Sequence, residues 1–537
     1  MNHLSGMDAS FLHFETPEMP MHVGSRQIVD LPEGYAGDYC EDVKRDVAGR
    51  MHLADVFQRK LALMPFELAN PVWADDEDLD IDYHVRPVIL LRPGTWVQLE
   101  RYVARLHSGL LERSRPLWET CVIEGLNTGR MAIYNKMHHA AIDGQAGVAV
   151  TEALPGGSAV PAPIKPPRPL PRANQYRLGV AELAGAALSN AVQQAVKIVK
   201  SLPATAQAIA GVVYAEGDDG KRRLAMPKRL QRPPCTPLNL AITNQRAFAA
   251  RSLPLADIKL MAKRSGASLN DIVLAICAGA LKRYLADDNF TPDRPLMAGV
   301  RVSLREAGNT DPNNQVVMMM VSLATDVKDP LERLHANKAS ANAGKKLTGS
   351  LKAAIPTDFS SLDVPWLMSG AASLYVRSPL AERLPPIVSV AISNVPGPQH
   401  PLYFAGAKLA GFFPVSIPAH GIALNVTVRS CNGALEVGLT ACRRAMSDVT
   451  ALADHVVQEF ELLRGLIEAL DPAASSAVAV SPTAVALPAE NAAVRVAKKR
   501  ARPRVAAAKP ATKPATASPP PTATHRTRRV NVANHAT

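Results

Sequence analysis

The stretch Met131-Ala132-Ile133-Tyr134-Asn135-Lys136-Met137-His138-His139-Ala140-Ala141-Ile142-Asp143-Gly144 decides how this chain is read. Its first seven residues alternate partly in polarity, as a strand does, and run straight into two adjacent histidines. Asp143 then stands where a helix can start, with Val148, Val150 and Leu154 following, so the histidines fall at a strand end beside a turn. Side chains there can reach a cleft instead of a packed layer. Neighbouring residues on a strand point to opposite sides, so one of His138 and His139 can face the cleft while the other packs inward. An imidazole titrating near neutral pH can take a proton from a hydroxyl. The Asp-Gly pair supplies a charged anchor and a sharp turn. Together these suggest acyl transfer. The competing readings are a buried, hydrogen-bonded histidine pair and a metal site. His139 and Asp143 could share a helix face, but no third ligand is near in sequence, so no metal is expected.

The bulk properties narrow the classes. A chain of 537 residues implies two domains with connectors, and 47% hydrophobic residues is ordinary for a globular protein. The net charge of +12 would suit a nucleic-acid binder if it were spread over the chain. Instead, residues 491–537 hold eleven Lys and Arg and no acid, which leaves 49 basic against 48 acidic residues in 1–490. The body is nearly neutral and the basicity belongs to a tail. Six scattered cysteines without a Cys-x-x-Cys pair fit a reducing cytosol. The start of the chain has no signal-peptide pattern, and no window reaches the ~20 apolar residues of a membrane span. The nearest, Ile272 to Leu281, is short and bounded by Asp271 and Lys282. A cytoplasmic protein, at most peripherally attached to membrane or lipid droplets, is expected.

Along the chain, residues 1–154 read as a mixed α/β domain with a helix over Arg101 to Leu111. Residues 155–235 read as a linker, rich in proline up to Arg172 and then helical from about Leu178 to Leu202. That helix suits a clamp between domains better than a membrane-surface helix, because it carries few charges. Residues 236–470 read as a second α/β domain. Ser268 is a plausible N-cap for a helix running through Leu285. Strands are expected at 299–305, 387–392 and 424–428, and a return strand at 435–439 follows a turn at Asn432-Gly433. A helix over 449–470 closes the domain. From 471 to 537 the Ala-, Pro-, Thr- and Lys-rich composition cannot bury a core, and disorder is expected.

The motif His-His-x-x-x-Asp-Gly resembles the signature of the coenzyme-A-dependent acyltransferase superfamily. Its neighbours narrow the likeness to the bacterial wax ester synthase/diacylglycerol acyltransferase family. Met7-Asp8-Ala9-Ser10-Phe11-Leu12, Glu15-Thr16 and Met21-His22-Val23-Gly24 are similar to that family's opening. Trp73-Ala74-Asp75-Asp76 with Asp80 and His84-Val85, and then Pro116-Leu117-Trp118-Glu119, match later blocks. Asn270-Asp271, Val302-Ser303-Leu304-Arg305 and Ser393-Asn394-Val395-Pro396-Gly397-Pro398 follow in the expected order. The resemblance covers roughly residues 4–470. Two departures stand out: Arg301 where proline is usual, and Leu79 where an aromatic is usual. Neither is expected to touch the chemistry, although Arg301 could alter the local charge.

The resemblance implies two chloramphenicol-acetyltransferase-like α/β domains joined by a helical linker, with the active site in a tunnel between them. It implies that His139 is the general base, deprotonating an alcohol as it attacks an acyl-CoA thioester without a covalent acyl-enzyme, an effect worth roughly 100- to 10,000-fold. His138 supports it. Asn270 either steadies the oxyanion or, with Asp271, caps a helix. Asp143 is expected to anchor the loop by pairing with Arg305, and Gly144 to supply space or an unusual backbone angle. Trp118 packs beneath the site or touches substrate, with packing favoured. Ser393 and Asn394, followed by the Pro396-Gly397-Pro398 turn, are expected to wall the acyl or CoA channel. No cofactor is implied, since acyl-CoA is a substrate. The expected acceptor is diacylglycerol or a fatty alcohol. Transfer to an amine or carrier-bound acceptor is the alternative enzyme, and a tethering protein worked by the tail is the alternative class. The tail could bind anionic lipid or nucleic acid, or merely solubilise.

Overall fold

The hairpin at Asn432-Gly433 forms because both residues adopt positive φ, 43° and 82°. A two-residue turn needs this if its twist is to match that of its strands. It joins strands Leu424–Cys431 and Ala434–Cys442 in unbroken antiparallel register. The computed structural model describes residues 4, 6–62, 70–142, 156–160, 214–216, 222–224, 233–303, 316–352 and 386–470, all within one compact unit spanning 1–478. The expected linker helix over 178–202 and the basic tail lie outside the described residues.

Two six-stranded mixed sheets organise the unit. The second sheet runs Val316–Ser322, Met297–Ser303, Val390–Val395, Leu424–Cys431, Ala434–Cys442, Arg246–Pro254. Alternation gives this sheet two unlike faces. Val300, Ile392, Val426, Val428 and Val437 are buried in one apolar core with the helices Leu255–Arg264, Leu269–Asp287 and Val449–Ala469. Gly299 and Arg301 share the opposite face. Because Gly299 pairs with Ala391 and Ser393 with Thr427, Ser393 and Thr427 lie on that face too.

Helix Leu269–Asp287 starts as expected. The Ser268 hydroxyl accepts from the Asp271 N–H, and the Asp271 carboxylate accepts from the Ser268 N–H at 2.9 Å. The helix is apolar nearly all round because sheet and helices cover it, and Ile272 to Leu281 are buried throughout. Among the described residues, no helix is long and apolar enough to cross a membrane.

The first sheet runs Tyr403–Phe404, Ala407–Val415, His22–Asp30, Met131–His138, Trp118–Glu124, Val85–Ile89. The expected strand at 131–137 is present, and its centre, Ile133 and Tyr134, is fully buried. Strand Ala407–Val415 crosses from the second half of the chain, aligning Gly24 with Val415 and Phe412 with Gln27. Where the sheets approach each other, a Cβ added to Gly438 would lie 1.9 Å from the Pro414 carbonyl oxygen, so only glycine fits. Nearby, the Glu100 carboxylate on helix Trp96–Ser108 accepts from the Ala250 N–H at 3.0 Å, tying the helix to the edge of the second sheet.

Candidate active site

His139 sits one residue past the end of strand Met131–His138, on a single 3-10 turn, His139–Ala141. Its N–H donates to the Met21 carbonyl at 2.8 Å, and His22 faces His138 across the antiparallel pair. The turn is therefore held by the strand edge bearing the Met21-His22 block. The ring stacks on Phe11 at 4.0 Å with an interplanar angle of 17°. Its Nε2 points across to the second sheet, where the Arg301 guanidinium approaches to 3.5 Å. An arginine can only donate, so Nε2 is the acceptor nitrogen and the ring is neutral. Burial, and then the Arg301 charge, hold the imidazole down at about 3, while its own backbone carbonyl acts in the opposite direction. The ring is thus unprotonated near neutral pH, as a general base must be.

His138 points the other way and is fully buried. Its Nδ1 accepts from the Ala140 N–H at 3.1 Å, stitching the turn, and its Nε2 lies 3.2 Å from Glu15 Oε1. Glu15 also accepts from the Met21 N–H at 3.0 Å and from both Nε and a terminal nitrogen of Arg113, at 3.2 and 2.8 Å. Burial pushes the Glu15 carboxyl up, but His138 and Arg113 outweigh it and bring it down to about 2. A fixed carboxylate thus braces the turn from behind. The two rings point apart, His139 toward the opposite sheet and His138 into the frame, because the chain leaves the strand for a 3-10 turn between them.

Trp118 lies in the core of the first half. Its indole N–H donates to the Phe57 carbonyl at 3.1 Å, and its ring stacks on His84 at 4.3 Å. Asp271 is the capping residue described above. Asn270 follows the cap on the same helix and is half-buried, and among the described residues no hydrogen bond joins it to His139. Arg301, which the sequence reading keeps clear of the chemistry, instead brings its guanidinium to 3.5 Å from the Nε2 of His139. The two residues are 162 apart in sequence, and only the packing of one sheet's end against the other's open face brings them together.

With this geometry established, the sequence was set against known proteins. The profile of the wax ester synthase/diacylglycerol acyltransferase catalytic domain matches residues 4–273, and that of the corresponding C-terminal domain matches residues 313–464. The chain belongs to the wax ester synthase/diacylglycerol acyltransferase family. A Mycobacterium tuberculosis protein provisionally named a diacylglycerol O-acyltransferase is 35% identical over 469 residues, covering 86% of this chain and all of that one. An O-acyltransferase of Acinetobacter baylyi is 33% identical over 470 residues, covering 87% of this chain and 98% of that one. The solved wax ester synthase/diacylglycerol acyltransferase of Marinobacter aquaeolei superposes with a TM-score of 0.61 at 29% identity, covering 87% of this chain and all of that one.

The remaining family positions fall in two groups. Ser393 and Asn394 are half-buried on strand Val390–Val395, with Ser393 on the face shared by Arg301. The Pro396-Gly397-Pro398 turn is clamped to the neighbouring hairpin. The Gly397 N–H donates to the Ser430 hydroxyl at 3.2 Å, and the Pro398 carbonyl accepts from the Asn432 N–H at 3.0 Å. A Cβ on Gly397 would fall 2.3 Å from the Ser430 carbonyl oxygen. Asp143, Gly144 and Arg305 lie outside the described residues. Phe11, Glu15 and Met21 were legible only as parts of a matching block, with no role attached. Arg113 carried no signal, since its contact with Glu15 spans 98 residues.

Proposed function

We propose that this family member is an O-acyltransferase that moves a long-chain acyl group from acyl-CoA to diacylglycerol, to a long-chain fatty alcohol, or to both. The observation that carries this reading is the neutral, buried His139 at the meeting of the two halves, its acceptor nitrogen aimed at the open face of the second sheet. His139 takes the alcohol proton as the oxygen attacks the thioester carbonyl. The tetrahedral oxygen collapses, the C–S bond breaks, and the same proton goes to the departing thiolate. The negative oxygen forming beside the ring raises its hold on the proton, and the collapse lowers it again, so one imidazole serves as base and then as acid. His138 and Glu15 position the turn. Asn270 assists the oxyanion, and Asp143 with Arg305 and Gly144 shapes the loop. Ser393, Asn394 and the 396–398 turn wall the acyl-CoA side of a tunnel. Relatives named for diacylglycerol and for wax ester chemistry support these acceptors.

The protein works at a membrane or lipid-droplet surface, where both acceptors reside, and the basic tail binds anionic headgroups there. The test is thiol release from palmitoyl-CoA by purified protein given diacylglycerol, then hexadecanol, with lipid product followed in parallel. Release that depends on acceptor and is lost in His139→Ala is expected. No release with either acceptor from folded protein would sink the reading.

A further inference from the structure

We infer that Arg301 is a catalytic residue of this chain, supplying positive charge to the oxyanion of the tetrahedral intermediate in the acyl-transfer step. The inference rests on the acyl-transfer reading above and deepens it. Three observations carry it. The guanidinium stands 3.5 Å from the Nε2 that receives the alcohol proton. A working base nitrogen lies within about 3 Å of the attacking oxygen, and that oxygen becomes bonded to the carbon bearing the new negative charge. A donor this close to Nε2 is within reach of that charge.

Second, Arg301 lies exposed on the open face of its sheet, and among the described residues it has no ion-pair partner. A long hydrogen bond to a neutral imidazole leaves the guanidinium charge uncompensated, so it stands ready for an anion. The reaction creates one there. Third, Arg301 projects from the open face of its sheet, the face it shares with Gly299, Ser393 and Thr427, while its backbone is locked in the ladder opposite Met318. The side chain keeps freedom to turn from Nε2 to the oxyanion, and its root does not move.

The step balances. The alcohol proton passes to Nε2, the oxygen bonds to the carbonyl carbon, and the C=O electron pair becomes the oxyanion that the Arg301 N–H groups meet. On collapse the C=O re-forms, the thiolate leaves, and the imidazolium returns the proton to sulfur. Arg301 changes neither charge nor bonding. The guanidinium approaches from 3.5 Å, a long contact, so the lower end of oxyanion-donor effects applies.

The experiment compares full-length wild type, Arg301→Met, Arg301→Lys and His139→Ala, using palmitoyl-CoA with hexadecanol and with diacylglycerol. Arg301→Met is expected to lower kcat about 100-fold, with KM for palmitoyl-CoA changed less than about threefold. Arg301→Lys should recover about a tenth of the wild-type rate, since it keeps the charge without the fork. The acid limb of kcat should also move to higher pH in Arg301→Met, because His139 loses a cationic neighbour. The other titratable groups about the ring, His138 on its own turn and Glu15 behind it, are unchanged. A kcat within threefold of wild type, or a rise in KM alone, overturns the inference. If Arg301→Met does not fold, Arg301→Gln, which removes the charge but keeps a polar side chain, decides, and full activity there overturns it. An inactive wild type, or an active His139→Ala, strikes the acyl-transfer reading instead.

Discussion

Replacing Glu15 by glutamine tests the frame behind the catalytic turn. The carboxylate is 3% exposed and meets Arg113 at 2.8 Å and His138 at 3.2 Å. Its pKa falls from 4.5 to about 2, which measures how strongly the folded protein prefers the charged carboxylate. At 1.36 kcal/mol per unit this is about 3 kcal/mol. Arg113 is more than a third exposed, so solvent screens its share, and about 2 kcal/mol should remain. A glutamine can still accept from the Met21 N–H, but its amide N–H groups then oppose the donors of Arg113. Equilibrium urea unfolding at pH 7, followed by tryptophan fluorescence, should show a loss of about 2 kcal/mol. The sign of the pH dependence follows from linkage. A carboxyl depressed in the folded state contributes fully above its unfolded value of 4.5, and the contribution is lost as pH falls toward about 2. The two proteins should therefore converge in stability on acidification. Turnover should fall about 10- to 100-fold with the loosened turn. Equal stability at pH 7, or a difference that does not shrink with acidification, would refute the bracing role of Glu15.

Other consequences are as direct. With His139 held at about 3, kcat/KM should stay level from pH 7 to about 5, and an inflection near 6.5 would contradict the assignment. Stability should behave differently over the same range. His22, His84, His107, His139 and His420 are all depressed by burial, so the unfolded chain takes up protons first as pH drops below 6.5. Glu436, raised to about 7, offsets one of them, and urea titrations should show stability falling by about 1.4 kcal/mol per pH unit for each net proton. Gly438→Ala forces a methyl group against the Pro414 carbonyl and should cost about 3 kcal/mol or more, whereas Gly433→Asn, in an open turn that tolerates positive φ, should cost under about 1 kcal/mol. Truncation after Glu490 should preserve turnover in detergent solution but abolish salt-sensitive binding to anionic vesicles; loss of turnover would assign the tail a part in catalysis.

Local signals were read well from sequence. The Ser268 cap, the Asn432-Gly433 hairpin and the strand entering the histidines each rest on chemistry within a few residues. The closing helix, Val449–Ala469, follows from its period. That the two histidines stand at a strand end beside a turn was also legible, because both signals are local. What sequence did not convey is whatever depends on distant partners. Strand Ala407–Val415 resembles its neighbours in composition, and nothing in it signals that it joins the first sheet. The Glu15–Arg113 brace and the Arg301–His139 contact are tertiary in the same sense. Arg301 stands out in the sequence as a departure from the resemblance, but position in a strand does not reveal what faces it across a cleft.

The borrowed strand has a consequence for synthesis. The first sheet has a free edge at His22–Asp30 until residues 407–415 are made, because those residues cover it. During translation of residues 31–406, the nascent chain presents open backbone donors and acceptors beside an apolar face. An edge of that kind invites pairing with other chains, and closing so long a loop is slow. The ribosome-bound intermediate is therefore the stage at which this protein needs shielding, although the residues that brace its histidine turn have all been made by then.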